Sequence, residues 1–155
     1  MRPQIGDLLV RAEGDKPGTL IAAADLKPGD AQVIAWAIDP KTKLPRDGSR
    51  LNQVLLLRFD PATLSPLTKT RAADGIVAYS AICTHAQCTV TGWLKDRQVL
   101  HCPCHESLYD PRHDAKVVGG PAPRPLAALP LKIADGKPEV AHLFIGKVGM
   151  TQPTM

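Results

Sequence analysis

The chain has 155 residues, a formal net charge of +4 and only 4% aromatic residues, with 15 prolines and 12 glycines. This length suits one domain that buries its own core, and the proline and glycine content favours a loop-rich β domain over a helical bundle. Lysines and arginines are spread along the chain rather than gathered in a stripe with aromatic residues, which excludes nucleic acid as the partner.

Short apolar runs rich in β-branched residues predict strands in both halves of the chain. They cover residues 32–37, 54–59, 75–82, 129–133 and 139–144. Residues 39–52 are polar and interrupted by proline and glycine, which predicts a long loop. Asp60 followed by Pro61 is a helix-start signal, so a short helix is predicted within residues 61–73.

The pattern changes in the middle of the chain, where Cys, His, Gly and Pro replace the apolar periodicity. We therefore predict one domain over residues 1–155, in which a β base (residues 1–80 and 127–155) carries a compact, loop-built subdomain (residues 81–126). No segment reaches the roughly 20 apolar residues that span a bilayer, and no signal peptide precedes the polar start. We expect a soluble chain that meets a membrane only through partners or through an N-terminal anchor missing from it.

All 4 cysteines fall in this middle segment, in the motifs CTHAQC (residues 83–88) and CPCHES (residues 102–107). Cysteines that serve only as small buried residues have no reason to pair with histidines in this way. The motifs offer two thiolates and two imidazoles, from Cys83, His85, Cys102 and His105, and leave Cys88 and Cys104 over. A tetrahedral zinc site and a disulfide framework without metal remain alternatives, although a zinc site of two Cys and two His does not require the second cysteine pair.

These motifs resemble the two cluster-binding loops of Rieske iron–sulfur proteins, of the disulfide-containing type found in cytochrome bc complexes. The resemblance, which extends over residues 81–126, implies one [2Fe–2S] cluster held by Cys83, His85, Cys102 and His105. It also implies a disulfide between Cys88 and Cys104. Residues 119–123 (GGPAP) look like the proline loop that covers the cluster in this family. The implied fold is all-β, a Rieske-like antiparallel β sandwich of stacked sheets.

Ser107 and Tyr109 match family positions whose hydroxyls donate to a bridging sulfide and to a cysteine ligand, here Cys83. Such donors favour the reduced state, and histidine ligands already place Rieske potentials at about −150 to +300 mV. The resemblance thus implies a high-potential one-electron carrier with no catalytic residue of its own. Its implied partners are a cytochrome b-like quinol-oxidising subunit and a c-type cytochrome, as in quinol:cytochrome c oxidoreductases. A disulfide favours an extracytoplasmic, periplasmic location, because cytosolic thiols are kept reduced.

The chain also departs from the common family pattern. Leu-Gly often stands where this chain has Ala86 and Gln87, and Gly where it has Glu106; the leucine helps to form the docking surface for the quinol-oxidising subunit. This leaves two further functions open. One is the small Rieske subunit of another periplasmic oxidoreductase with a large catalytic chain, such as an arsenite-oxidase-like enzyme. The other is a soluble Rieske ferredoxin that feeds an oxygenase, although such ferredoxins generally lack the extra cysteine pair.

The remaining histidines are not at ligand spacing. We predict that His101, His113 and His142 are surface or hydrogen-bonded residues rather than ligands.

Overall fold

The computed structural model describes residues 1–150, and within them the chain forms antiparallel sheets and one short α-helix. The strands in chain order are β1 (Leu8–Arg11), β2 (Val33–Ile38), β3 (Val54–Arg58), β4 (Ile76–Ser80), β5 (Gly92–Leu94), β6 (Val99–Cys102), β7 (Ser107–Asp110), β8 (Lys116–Gly119), β9 (Leu131–Ala134) and β10 (Lys137–Val140). The base sheet has the order β1-β2-β3-β4, a second sheet the order β5-β6-β7-β8, and β9 and β10 form a hairpin. The predicted all-β antiparallel class is confirmed.

The base sheet is buried on both faces, which explains the unbroken apolar run of β3. Along a strand successive side chains point to opposite faces. Leu55 and Leu57 join the cluster of core residues that includes Leu100 and Tyr109 of the second sheet. Val54 and Leu56, on the other face of β3, join another cluster that includes Leu131 of the β9–β10 hairpin. The base sheet therefore lies between the hairpin and the sheet that carries the cysteine motifs.

The predicted loop-built subdomain is more regular than its sequence indicated, because it contains the whole four-stranded sheet β5–β8. Apolar periodicity does not reveal these strands, since each has only three or four residues and β8 alternates between exposed and half-buried positions. The two cysteine motifs lie at the same end of this sheet. One follows β4 of the base sheet, and the other is the turn between β6 and β7.

The predicted helix within residues 61–73 is divided in two. The Asp60 carboxylate accepts the backbone N–H of Ala62, as a helix cap does, but the first piece is only the 3₁₀ turn Pro61–Thr63. Pro66 forces the preceding residue out of the helical region, so Ser65 is extended and caps a separate helix, α1 (Pro66–Arg71). No helix within residues 1–150 is long and apolar enough to cross a membrane.

Candidate metal centre

The two cysteine motifs form two loops that close in different ways. We call residues 83–88 the first ligand loop and residues 102–107 the second ligand loop. In the first ligand loop, backbone N–H groups of Cys83 and Gln87 donate to carbonyls of Cys88 and Cys83, at 2.8 and 3.1 Å. The second ligand loop is the β6–β7 turn, in which Cys102 pairs with Ser107 across the ladder. The predicted disulfide between Cys88 and Cys104 is present and joins the two loops.

Each loop contains one non-glycine residue in the left-handed region. These residues are Gln87, with φ of 57°, and Glu106, with φ of 63°. Only glycine adopts such angles without a steric cost. Glycine is common at both positions in the family that the motifs resemble, and the positive φ angles at these positions explain why.

The four predicted ligands lie in two pairs. The thiols of Cys83 and Cys102 are both free of disulfides and buried, whereas the rings of His85 and His105 lie edge to face with centroids 4.7 Å apart. Within residues 1–150, no group of three or more Cys, His, Asp or Glu side chains surrounds a common point where a single ion would sit. A paired arrangement of thiols and imidazoles is the one that two irons with unlike ligands require.

The two thiols ionise unequally. Burial raises the pKa of Cys102, and the neighbouring Cys83 adds to that rise. Burial also opposes ionisation of Cys83, but hydrogen bonds from the Tyr109 hydroxyl and from the backbone N–H groups of His85 and Ala86 bring its pKa below the ordinary value. Cys83 is therefore the readier thiolate, and a bound metal ion would favour deprotonation of both.

The Tyr109 hydroxyl lies at the base of the first ligand loop, 3.2 Å from the Cys83 sulfur. Its oxygen accepts the backbone N–H of Thr84 at 3.1 Å. The Thr84 hydroxyl also lies 3.2 Å from it, but that hydroxyl donates to the carbonyl of Arg124 at 2.8 Å. Burial raises the pKa of Tyr109. The phenol therefore stays protonated and can donate a hydrogen bond to the Cys83 sulfur.

Two buried polar side-chain atoms within the ligand loops themselves have no protein partner among the described residues. They are the Ser107 hydroxyl oxygen and the Nδ1 atom of His85. A buried polar atom without a hydrogen bond or a metal bond is costly. An iron bound to Nδ1 and a sulfide that accepts from Ser107 would satisfy both, so the residues present fit a [2Fe–2S] cluster.

The predicted proline loop, residues 119–123, packs against the second ligand loop. Gly120 has φ of 79°, and a Cβ atom at this position would lie only 2.6 Å from the Glu106 carbonyl oxygen. No larger residue fits here without displacing the second ligand loop. The bond from Thr84 to the Arg124 carbonyl ties the same segment to the first ligand loop. The roles of Thr84 and Arg124 could not be predicted, because their hydrogen bond joins residues 40 positions apart in the sequence.

The other histidines have protein partners. His101 pairs with Glu106, His113 lies 3.0 Å from the Asp110 carboxylate, and His142 lies 2.8 Å from the Leu143 carbonyl.

The sequence is similar to those of known iron–sulfur proteins. Residues 20–130 match the model of the Rieske [2Fe-2S] domain. A Haloferax mediterranei protein with the printed name "Putative respiratory nitrate reductase subunit Rieske" is 40% identical over 107 residues, which are 68% of this chain and 48% of that protein. A cytochrome bc1 complex Rieske iron-sulfur subunit of Streptomyces lividans is 31% identical over 140 residues, 84% of this chain and 76% of that protein. The chain thus spans about half of the length of the first relative.

Among solved structures, the ferredoxin of carbazole 1,9a-dioxygenase from Nocardioides aromaticivorans superposes with a TM-score of 0.53 at 17% identity. The match covers 91% of this chain and 98% of that chain. At this identity the likeness concerns the fold.

Proposed function

This chain belongs to the Rieske [2Fe–2S] family and is an iron–sulfur electron carrier, and from that premise we propose that it is the iron–sulfur subunit of a quinol:cytochrome c oxidoreductase. In this proposal it takes one electron at a time from quinol and passes it to a c-type cytochrome. The proposed ligands are Cys83, His85, Cys102 and His105. The Streptomyces relative, which matches 84% of this chain, is named as a subunit of a cytochrome bc1 complex.

The observation that carries the proposal is the Tyr109 hydroxyl, 3.2 Å from the Cys83 sulfur. When bound, a [2Fe–2S] cluster with two imidazole ligands supplies a one-electron couple at about −150 to +300 mV. A hydrogen bond to a ligand sulfur is stronger when the site carries an extra negative charge. The Tyr109 hydroxyl therefore stabilises the reduced state more than the oxidised state. The unpartnered Ser107 hydroxyl provides a second donor on the other loop. Both donors support a potential in the upper part of that range, where quinol is a suitable reductant.

The histidines have a second task in this proposal. If His85 binds iron through the buried, unpartnered Nδ1, its other ring nitrogen is free to hold or release a proton. An imidazole next to a metal ion titrates in a pH range that depends on the charge of that ion. His85 and His105 can therefore accept the proton that leaves quinol with each electron. His85 is half-buried while His105 is exposed, so the two imidazoles differ in their access to water.

The disulfide supports an extracytoplasmic location for this domain. The bridge between Cys88 and Cys104 joins the two ligand loops, and such bridges persist in compartments that are not kept reducing. We propose that the domain works on the periplasmic side of a membrane, beside a cytochrome b-like subunit and a c-type cytochrome.

A redox titration of the purified protein, followed by EPR over a range of pH, tests the proposal. We expect a Rieske-type signal with a positive midpoint potential that is constant at low pH and falls at higher pH, where imidazole protons are lost on oxidation. In a stopped-flow experiment, quinol should reduce the protein and ferricytochrome c should reoxidise it. A negative midpoint potential without pH dependence would contradict the quinol-oxidising role.

A second function is favoured by two observations. The Haloferax relative, at 40% identity, bears the name of a nitrate reductase subunit, and Ala86 offers little apolar surface for docking on a quinol-oxidising subunit. The alternative is a small subunit that exchanges electrons with a large oxidoreductase chain. Co-purification distinguishes the two functions, since it would recover either a cytochrome b or a large molybdopterin-containing chain with this protein.

A further inference from the structure

Residues 146–150 pass along the edge of the metal centre and contact it from two sides. The Arg124 guanidinium donates through Nη2 to the carbonyl of Gly149 at 2.6 Å. The backbone N–H of Met150 donates to the side-chain oxygen Oε1 of Gln87 at 3.2 Å. Gln87 belongs to the first ligand loop, and Arg124 directly follows the proline loop. This segment, which we call the strap, therefore connects both.

The strap lies too close to the first ligand loop for an ordinary side chain. Gly149 is buried, with φ of 70°, and a Cβ atom on it would lie 2.7 Å from Gln87 Oε1 and 3.1 Å from a methyl carbon of Ile82. Glycine is the residue that permits both the backbone angle and the approach. The strap therefore packs closely against the first ligand loop, and hydrogen bonds to Arg124 and Gln87 hold it there.

The conformation of Gln87 gives an independent reason to assign a role to its side chain. A glutamine at φ of 57° carries a steric cost that glycine would avoid. Its amide oxygen is the acceptor for Met150, and glycine could not provide it. The strained backbone and the hydrogen bond therefore occur at the same residue.

The strap also brings Met150 to the cleft beside His85. This cleft has a volume of about 310 Å³ and is lined by Thr84, His85, Pro121, Pro123, Arg124 and Met150. We propose that the strap fixes the first ligand loop, and with it His85, against the proline loop, and that Gln87 and Arg124 are the positioning residues that hold it. The inference rests on the proposed ligand role of His85.

The test uses the full chain with its cluster and two variants that act from opposite sides. Gln87→Leu removes the acceptor for Met150, and Arg124→Met removes the donor to Gly149. Gln87→Glu is the conservative variant, because a carboxylate oxygen can still accept. Gln98→Leu is the matched control: Gln98 has φ of 55°, and its side-chain amide donates to the carbonyls of Lys95 and Gly29, neither of which belongs to a ligand loop.

Three quantities are measured in each protein: hydrogen exchange of the Met150 amide, the rate of iron release to a chelator, and the EPR linewidth of the reduced cluster. Loss of one hydrogen bond should speed exchange and iron release about fivefold in Gln87→Leu and in Arg124→Met. The linewidth should broaden as His85 samples more positions. Gln87→Glu should restore the parent linewidth, and Gln98→Leu should match the parent throughout.

Unchanged exchange and linewidth in both test variants would overturn the inference. So would a broadening in Gln87→Leu that Gln87→Glu does not reverse, or one that Gln98→Leu reproduces. If Gln87→Leu does not fold, Arg124→Met decides alone. A parent protein without iron or a Rieske-type signal would instead contradict the proposed function, which separates the two failures.

Discussion

The two ligand loops reach the same metal centre with different kinds of support. The second ligand loop is a turn between adjacent strands, and its Glu106 pairs with His101 on the preceding strand. The first ligand loop depends on residues far along the chain. Tyr109 bonds to Cys83 and Thr84, and Met150 bonds to Gln87. The second loop thus relies more on its own hairpin and the first more on tertiary hydrogen bonds, so loss of a remote hydrogen bond should disturb the first loop before the second.

The largest expected effect does not distinguish the loops, because each provides one thiol and one imidazole. Replacing Cys83, His85, Cys102 or His105 by Ala should in each case abolish cluster incorporation, since within residues 1–150 no other Cys or His lies in position to substitute. Iron analysis and EPR of the purified variants measure this. His113→Ala is the control, because His113 bonds to Asp110 away from the centre, and it should retain full iron content. A brown Cys83→Ala protein with unchanged iron would refute the ligand assignment.

The disulfide couples the two loops, and its removal should have the next largest effect. Cys88→Ser combined with Cys104→Ser leaves all proposed ligands in place but frees loops that the bridge joins across a sequence separation of 16. The free energy of unfolding should fall by about 2–4 kcal/mol, as measured by denaturant titration. In the parent protein, alkylation followed by mass spectrometry should find no free thiol at Cys88 or Cys104. Labelling of both would remove the support for an extracytoplasmic location.

The different origins of the loops explain what could be predicted from sequence. The disulfide could be predicted, because the family resemblance carried by two short motifs implies it. The same motifs supply the proposed ligands. The strands of the base sheet were visible because burial on both faces gives unbroken apolar runs such as β3. The sheet β5–β8 was missed, since its short strands are partly exposed. The contacts of Thr84, Arg124 and Gly149 could not be found, because they join residues distant in sequence.

The hydroxyl donors provide one test on each loop. Tyr109→Phe removes the donor to Cys83, and Ser107→Ala removes the unpartnered hydroxyl of the second loop. A hydrogen bond to a charged group is worth about 1.5–3 kcal/mol, but only its difference between the two redox states alters the potential. Since about 1.4 kcal/mol corresponds to roughly 59 mV for one electron, each midpoint potential should fall by tens of millivolts and at most about 100 mV.

Tyr79→Phe is the matched control for these variants. Tyr79 is a buried tyrosine whose hydroxyl donates to the carbonyl of Pro111 at 2.7 Å rather than to a cysteine, so its loss should leave the midpoint potential unchanged. Protein-film voltammetry of the three variants gives the comparison directly. Potentials within about 10 mV of the parent in both Tyr109→Phe and Ser107→Ala would show that neither hydroxyl donates to the cluster.

The smallest effect concerns the two strained residues, and it separates the loops most directly. Gln87 and Glu106 both adopt positive φ, where an L-residue carries a cost of about 1–2 kcal/mol that glycine avoids, although glycine gives up part of this gain through the greater entropy of its unfolded chain. Glu106→Gly loses only a pairing with His101 in which the Glu106 side chain is 75% exposed, and such pairs are worth little. We expect it to raise the free energy of unfolding by about 0.5 kcal/mol.

Gln87→Gly removes the same steric cost but loses the hydrogen bond to Met150, which contributes about 1 kcal/mol. This variant should therefore be no more stable than the parent. Denaturant unfolding of both variants measures the difference, and an equal gain in both would mean that the first ligand loop is as locally determined as the second.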